Sequence, residues 1–461
     1  MPPTTTLNEP KKTATSVDPG GALAPTLLSD FERALAEHPT ARIAQNAVTK
    51  TPVTDVALDR SVVTGIDHSF SHRLDAWEVT NQKKSGRCWM FAALNLFRVG
   101  AMQKMNVESF EFSQNYTLFW DKLERANYFL EAIIATADRD VDDRTVAFLL
   151  DRPLEDGGQW NMFVNVVKKH GVVPQSVMPE TESSSNTRAM NGLVIHKLRE
   201  GARELRQLRA NGAPMEAARA AKQEILQVVH RMLSIHLGTP PTRFDWQWND
   251  KDKVFHRDGE MTPHRFAEKY IDLPVDEYVC LVHDPRPSSP YGRTFTVEFL
   301  GNVVGGDMVR YLNVEIDLIK QIAASVIASG EPVWFGCDVG KMMQRDMGLW
   351  DRALFDFDRL YDTEFDLDKP GRLEYHQTLM THAMLFTGVD LIGDRPRRWR
   401  VENSWGDENG EKGFFAMNDS WFDEHVFEIA ARRDRLPEDL QSALDEPPIV
   451  LPAWDPMGAL A

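Results

Sequence analysis

The sequence predicts an α+β fold with a helical insertion, and three observations lead there. First, residues 81–97 (NQKKSGRCWMFAALNLF) and 113–137 carry apolar residues at helical spacing. Second, residues 188–235 form the longest helical stretch, rich in Ala, Leu, Glu and Arg and broken at Asn211-Gly212-Ala213-Pro214. Third, the back of the chain turns to short apolar or alternating runs bounded by Gly, Asp and Asn, which read as antiparallel strands. Helices first and strands later argue for segregated layers.

Taken in order, Ser29 reads as the cap of a short helix through Phe31 and Leu35, stopped by Pro39. Residues 41–80 show no clean period. Ser85 and Gly86 suit a turn, after which Trp89, Ala92, Ala93, Leu96 and Phe97 mark a helix with Cys88 near its first turn. In 113–137 the residues Tyr116, Phe119, Trp120, Leu123, Tyr128 and Leu130 make an aromatic side that reads as core or subunit contact. Asp156-Gly157-Gly158 is a turn before a helix over 160–169, ended by Gly171. Thr262 and Pro263 form a cap and first-position pair for a helix to Tyr270, and 313–328 is an amphipathic helix. The strands fall at 294–299, 309–313, 332–338, 382–389, 399–402 and 413–417. The resulting division is a disordered lead-in (1–26), a helical part with the cysteine (27–180), a helical insertion (181–290), a strand-rich part (291–430) and a Pro-punctuated C-terminal arm (431–461).

A chain of 461 residues has room for two domains, or one with a large insertion. The net charge of −17 argues against nucleic acid as the main partner, although the run RPRRWR at 395–400 leaves room for a local basic patch. Three cysteines, at 88, 280 and 337, make no disulfide framework and fit a reducing compartment. The start of the chain lacks a signal-peptide core and no apolar run is long enough for a membrane span, so the expected location is the cytoplasm.

Cys88 taken alone reads as a buried structural cysteine. Its setting suggests more, because unpaired N–H groups and the dipole at a helix N-terminus favour a thiolate. Gln82 offers an amide N–H for an oxyanion, His382 precedes a strand that would hold its ring, and the Asn403 carboxamide can orient an imidazole without adding charge. Gly157 and Gly158 leave space for an extended substrate backbone. Glu402, Glu408 and Glu411 read as a solvated acidic loop. His256, His264 and His283 give no metal-ligand spacing, and neither a metal nor a cofactor is implied.

The runs QKKSGRCW, LMTHAM around His382 and VENSWG around Asn403 resemble the papain-like cysteine peptidases, and more closely their intracellular branch of aminopeptidase C and bleomycin hydrolase. RIAQNAVTKT, EDGGQW and the terminal LPAWDPMGALA extend the likeness over residues 40–461. The resemblance implies a helical domain carrying the nucleophile Cys88, a barrel-like antiparallel domain carrying His382, and a cleft between them. It further implies that Asn403 orients His382, that Gln82 and the Cys88 N–H hold the oxyanion, and that Trp405 shields the imidazole, with Trp89 supporting the nucleophile. Gly157 and Gly158 would form a substrate wall, and the arm would lie in the cleft so that the Ala461 carboxylate meets the amino group of a short peptide. An aminopeptidase assembled as a homohexamer, acting also on bleomycin-type amides, is the implied protein. The alternatives are an endopeptidase, an amidohydrolase, or a scaffold without catalysis.

Overall fold

The helix Cys88–Met105 is apolar on nearly every side, the mark of a helix buried all round. A computed structural model, which describes Val17, residues 19–74 and residues 77–461, places it between a sheet and a helical layer. One side packs on the strand His382–Ile392; the helices Gln114–Ala135 and Trp160–His170 cover the other. Ser113 caps Gln114–Ala135 by accepting from the Tyr116 N–H at 3.0 Å, and Gly171, at φ 71°, ends Trp160–His170. Tyr116, Phe119 and Leu130 are buried, and Trp120 stacks on His170 with ring centroids 4.0 Å apart. That aromatic side is therefore core.

The helices Arg188–Ala210 and Met215–Leu237, in the stretch expected as an insertion, pack on each other and on Gln114–Ala135. Val194, Leu198, Ala202 and Leu205 face Ile225, Val229 and Leu233 in one core, and Gly201 permits the close approach, since a Cβ there would lie 2.8 Å from Ile225 Cδ1. The stretch 181–290 is not wholly helical. It also holds the antiparallel hairpin of Phe244–Asn249 and Phe255–Met261, and its strand Tyr278–Val282 belongs to the main sheet.

Among the described residues that sheet has twelve strands. Its middle is antiparallel throughout: Tyr278–Val282, Val426–Arg432, Val333–Cys337, His382–Ile392, Arg395–Glu402 and Phe414–Asn418. Toward the ends three pairings are parallel, against the expectation of an antiparallel set. Tyr311–Asn313 runs beside Tyr278–Val282, Ile449–Leu451 beside Arg293–Val297, and Leu349–Trp350 beside Phe414–Asn418. Each of these partners arrives through a long connection, and only a hairpin forces the antiparallel sense. Along His382–Ile392, Ala383 and Leu385 enter the core shared with the helix Cys88–Met105, while Met384 and Phe386 enter a second core on the opposite face. Helix Ile316–Ala328 lies on that second face. It starts later than the periodicity suggested, because residues 311–313 are strand.

The run at 395–400 is no basic patch. Arg398 and Arg400 are buried and donate to main-chain carbonyls, Arg398 Nη1 to Asp67 at 2.6 Å and Arg400 Nη1 to Leu74 at 3.0 Å. Arg397 pairs with Asp390. Both faces of the strand are covered over residues 398–402, so these arginines are buried without alternation and must find acceptors inside.

A second, smaller unit comprises the described residues up to Leu58 together with Phe355–Phe365. Its first long helix, Pro25–Glu37, begins at a proline whose fixed φ suits that position. Ser29 therefore lies inside the helix rather than at its cap, and its Oγ donates to the Pro25 carbonyl at 3.1 Å. Ala41–Val48, Val53–Ala57 and Phe357–Tyr361 follow, with His38 Nε2 3.0 Å from Asp362 Oδ2. Of the lead-in expected over 1–26, residues 1–16 and 18 lie outside the described residues.

Candidate active site

Cys88 is the first residue of its helix, as the sequence suggested. The residue before it, Arg87, is fully buried and clamped: its guanidinium makes two hydrogen bonds to Glu180, at 2.9 and 2.7 Å, and its Nε donates to Ser85 Oγ. Backbone N–H groups of Ala383, Trp89 and Cys88 itself point at the sulfur. They do not outweigh desolvation, and burial pushes the thiol from 9.0 up to about 11. His382 is pushed the other way by the same cause, from 6.5 down to about 4; its bond to Asn403 opposes the shift and the Arg345 charge adds to it. Burial thus works against the charged form of both groups. Burial and the helix N-terminus oppose each other at the sulfur: a helix dipole contributes about 1 kcal/mol whereas full burial shifts a group by several pKa units.

His382 opens its strand, 4% exposed, and its Nε2 lies 2.9 Å from Asn403 Oδ1. The same oxygen accepts the Ser404 N–H at 2.8 Å, which fixes the rotation of the carboxamide. Nε2 therefore meets an acceptor and carries the ring proton, leaving Nδ1 free as a base. Trp405 flanks the imidazole, with ring centroids 5.0 Å apart. Gln82 is buried, and its amide is oriented on both sides: Oε1 accepts from Ser404 Oγ at 2.6 Å and Nε2 donates to Ser85 O at 2.5 Å. One Nε2 hydrogen remains for an incoming oxyanion. Ser404 thus ties Gln82 to Asn403, a link the sequence reading missed although the serine stands within the VENSWG run.

Gly157 and Gly158 border the C-terminus. Gly158 N–H donates to Ala461 O at 3.0 Å and Ala461 N–H returns to Gly158 O at 3.3 Å, the two bonds of an antiparallel pair. A Cβ on Gly157 would lie 2.6 Å from Ala461 O, and one on Gly158 would lie 2.6 Å from the Trp89 ring. Trp89 is buried behind this wall, its Nε1 donating to Asp156 O at 2.7 Å. The arm is anchored upstream as well, by the Asp455–Arg286 ion pair at 2.8 Å, by Arg144 4.0 Å over the Trp454 ring, and by Gln159 Nε2 on Ala459 O at 2.6 Å. Ala461 itself is 3% exposed.

The root of the insertion also belongs to the site, and sequence reasoning gave no sign of it. Asp156 accepts from Gly86 N–H, Lys122, Thr187 and Asn191, and these partners keep it ionised far below the usual carboxylate range despite its burial. Lys84 N–H donates to Ser185 O at 2.9 Å. The loop from Gln82 to Cys88 is therefore gripped from the insertion side.

Glu402 is not a solvated residue. It is 2% exposed and accepts from Trp77 Nε1 at 2.5 Å and from Asn95 Nδ2 and Arg98 Nη2 at 2.8 Å each. Two of these donors lie on the nucleophile helix, so the strand before Asn403 is bolted to the helix of Cys88. Glu408 and Glu411 are exposed. Among the described residues no group of His, Cys, Asp and Glu is placed to hold a metal.

The model of the Peptidase C1-like family matches residues 22–458. The chain belongs to this family. Within the Peptidase C1-like family it falls in the bleomycin hydrolase and aminopeptidase C branch. It is 42% identical to aminopeptidase C of Lactobacillus delbrueckii subsp. lactis over 437 residues, covering 94% of this chain and 97% of that one. It is 43% identical to bleomycin hydrolase of Homo sapiens, covering 93% and 96%. The crystal structure of PepW from Lactobacillus rhamnosis superposes with a TM-score of 0.94 at 45% identity, over 96% of this chain and all of that one. The α+β papain-like architecture is thereby shared with a solved member of the Peptidase C1-like family.

Proposed function

We propose that this protein is a cysteine aminopeptidase that removes residues one at a time from the free N-terminus of short peptides. One observation carries the reading: the protein's own C-terminal residue lies against Gly158 as an antiparallel strand ending at the site, where an extended substrate would otherwise run. In this reading the arm occupies the acyl side of the cleft and so limits how much of a substrate can lie before the cut bond. The terminal carboxylate of Ala461 is the group that would meet the substrate ammonium.

In this reading Cys88 Sγ attacks the carbonyl carbon while His382 Nδ1 takes the thiol proton. The tetrahedral oxyanion is held by the free Gln82 N–H and the Cys88 backbone N–H. Collapse breaks the C–N bond, and the imidazolium gives its proton to the leaving amine. Water, deprotonated by His382, then releases the amino acid from the thioester and restores the thiol. Asn403 keeps the ring in the tautomer this requires, and Trp405 shields the Asn403 bond from water.

The relatives named bleomycin hydrolase support an additional action on bleomycin-type amides. A homohexamer is the assembly the family resemblance favours, and the exposed row Leu28, Phe31 and Leu35 on helix Pro25–Glu37 is apolar surface of the kind an assembly covers. Three unpaired cysteines favour the cytoplasm, and no described helix is long and apolar enough to cross a membrane.

The test is mass analysis of products from a free-amino decapeptide. The expected result is a ladder shortened one residue at a time from the N-terminus, lost in Cys88→Ala with the circular dichroism spectrum unchanged. Internal fragments appearing first, or an active Cys88→Ala protein, would overturn the proposal.

A further inference from the structure

The arm and the glycine wall account for the acyl side of the cleft. On the other side stands a cation that the mechanism does not use. The strands Met343–Gln344 and Leu349–Trp350 form a small hairpin, and Arg345 begins its turn. The turn is fixed: Met347 N–H donates to Gln344 Oε1 at 2.9 Å, Gly348 N–H to Arg345 O at 3.0 Å, and Ala416 N–H to Gly348 O at 2.8 Å. From it the Arg345 side chain lies over the Trp405 ring, 4.5 Å from the centroid, and Trp405 in turn flanks His382. Arg345 is close enough to the imidazole that its charge helps hold His382 in the neutral form.

Arg345 is exposed, and among the described residues its guanidinium makes no ion pair and no hydrogen bond, although Asp346 is its neighbour in the turn. A guanidinium lying on an indole offers its edge, with its N–H donors, to a planar acceptor. The geometry of the reaction says which part of a substrate passes there. Ala461 fills the acyl side. The leaving amine takes its proton from His382, so the peptide beyond the cut bond departs past the imidazole and the indole beside it.

We propose that Arg345 binds a carboxylate on the leaving-group side of the substrate. The favoured substrates are then dipeptides, through their free C-terminus, and peptides with Asp or Glu as the second residue. This rests on the aminopeptidase reading. A short substrate would be held at both ends by charge, its ammonium by the arm and its carboxylate by Arg345.

The test is kcat/KM for two matched pairs, Ala-Ala against Ala-Ala-amide and Ala-Glu-amide against Ala-Gln-amide, with the native protein and with Arg345→Gln, Arg345→Lys and Arg345→Glu. An exposed ion pair supports a preference for the acidic member of roughly fivefold. Arg345→Gln should bring the ratio near one, Arg345→Lys should keep part of it, and Arg345→Glu should invert it. A merely structural Arg345 would change both members of a pair alike. A preference in the first pair alone assigns the C-terminal carboxylate, and in the second alone the acidic side chain. Equal rates on acid and neutral members, or a ratio unmoved by Arg345→Gln, would overturn the assignment while the aminopeptidase reading stood. Failure to release alanine from any of the four would remove both.

Discussion

Glu402→Ala tests whether the two walls of the site are held together as described. Glu402 is buried, and every one of its partners is a donor: Trp77 Nε1 at 2.5 Å, and Asn95 Nδ2 and Arg98 Nη2 at 2.8 Å each. Removing the carboxylate leaves the buried Arg98 guanidinium, 4% exposed, without its counter-charge. Breaking such a pair from one side costs about 3–5 kcal/mol, and the stranded Trp77 and Asn95 donors keep the value from falling below that range. For a chain of 461 residues the unfolding entropy is about 1 kcal/mol per kelvin, so the melting temperature should fall by about 4 °C. Glu402→Gln should be little better, because its NH2 must face a donor. The double change Glu402→Leu with Arg98→Met should recover only part of the stability: it removes the unpaired charge, but the Trp77 and Asn95 donors still lack the Glu402 acceptor. The assay is differential scanning calorimetry of the three variants, with kcat measured on an aminoacyl-arylamide. Activity should remain low in the double variant, because Asn403 is attached directly to Glu402, the last residue of the strand. A shift below about 1 °C for Glu402→Ala would refute the reasoning by showing that Arg98 finds solvent.

Gly158→Ala places a methyl 2.6 Å from the buried Trp89 ring; overpacking of about 1–3 kcal/mol should appear as a lower melting temperature, together with weakened hydrolysis as the wall shifts. Three histidines are pushed down from 6.5 by burial first of all: His382 to about 4, His425 to about 3 and His283 to about 2. They stay neutral in the folded chain while the unfolded chain takes up protons below pH 6.5, so stability should be unaffected by these groups above that pH and fall as pH drops from 6.5 toward 4. The slope is up to about 1.4 kcal/mol per pH unit for each, read from urea midpoints at several pH values. Glu428, pushed by burial from 4.5 up to about 8, contributes the opposite slope above pH 4.5, so the histidine contribution is read as the difference in slope between the native protein and His425→Gln; identical slopes would contradict the burial of that ring.

Much of the site was legible because its chemistry sits on local signals. Cys88 follows a turn and starts a helix, His382 starts a strand, and Asn403 comes directly after one; each boundary is marked by residues within a few positions. What was not legible depends on the far side of the molecule. Strands Tyr278–Val282 and Val426–Arg432 show no alternation because helices and core cover both faces of the sheet, so period two disappears. Glu402 and Arg398 carry charges that read as surface, and only the partners Arg98, Asn95 and the Asp67 carbonyl, distant in sequence, make them interior. The desolvation of Cys88 was not legible for the same reason: helix position is written in the sequence, while burial of the sulfur depends on the folded surroundings.

In the proposed reading the chain's own end makes the site an exopeptidase. Residues 458–461 are removed, and kcat/KM is measured for one peptide with a free and an acetylated N-terminus, before and after truncation. With the arm present the free form should be cleaved at least tenfold better. Without it, Gly158 regains its unpaired N–H and C=O, hydrolysis of the free form should weaken, and the acetylated peptide should become a substrate, with Cys88 still required. A ratio unchanged by truncation would contradict the account.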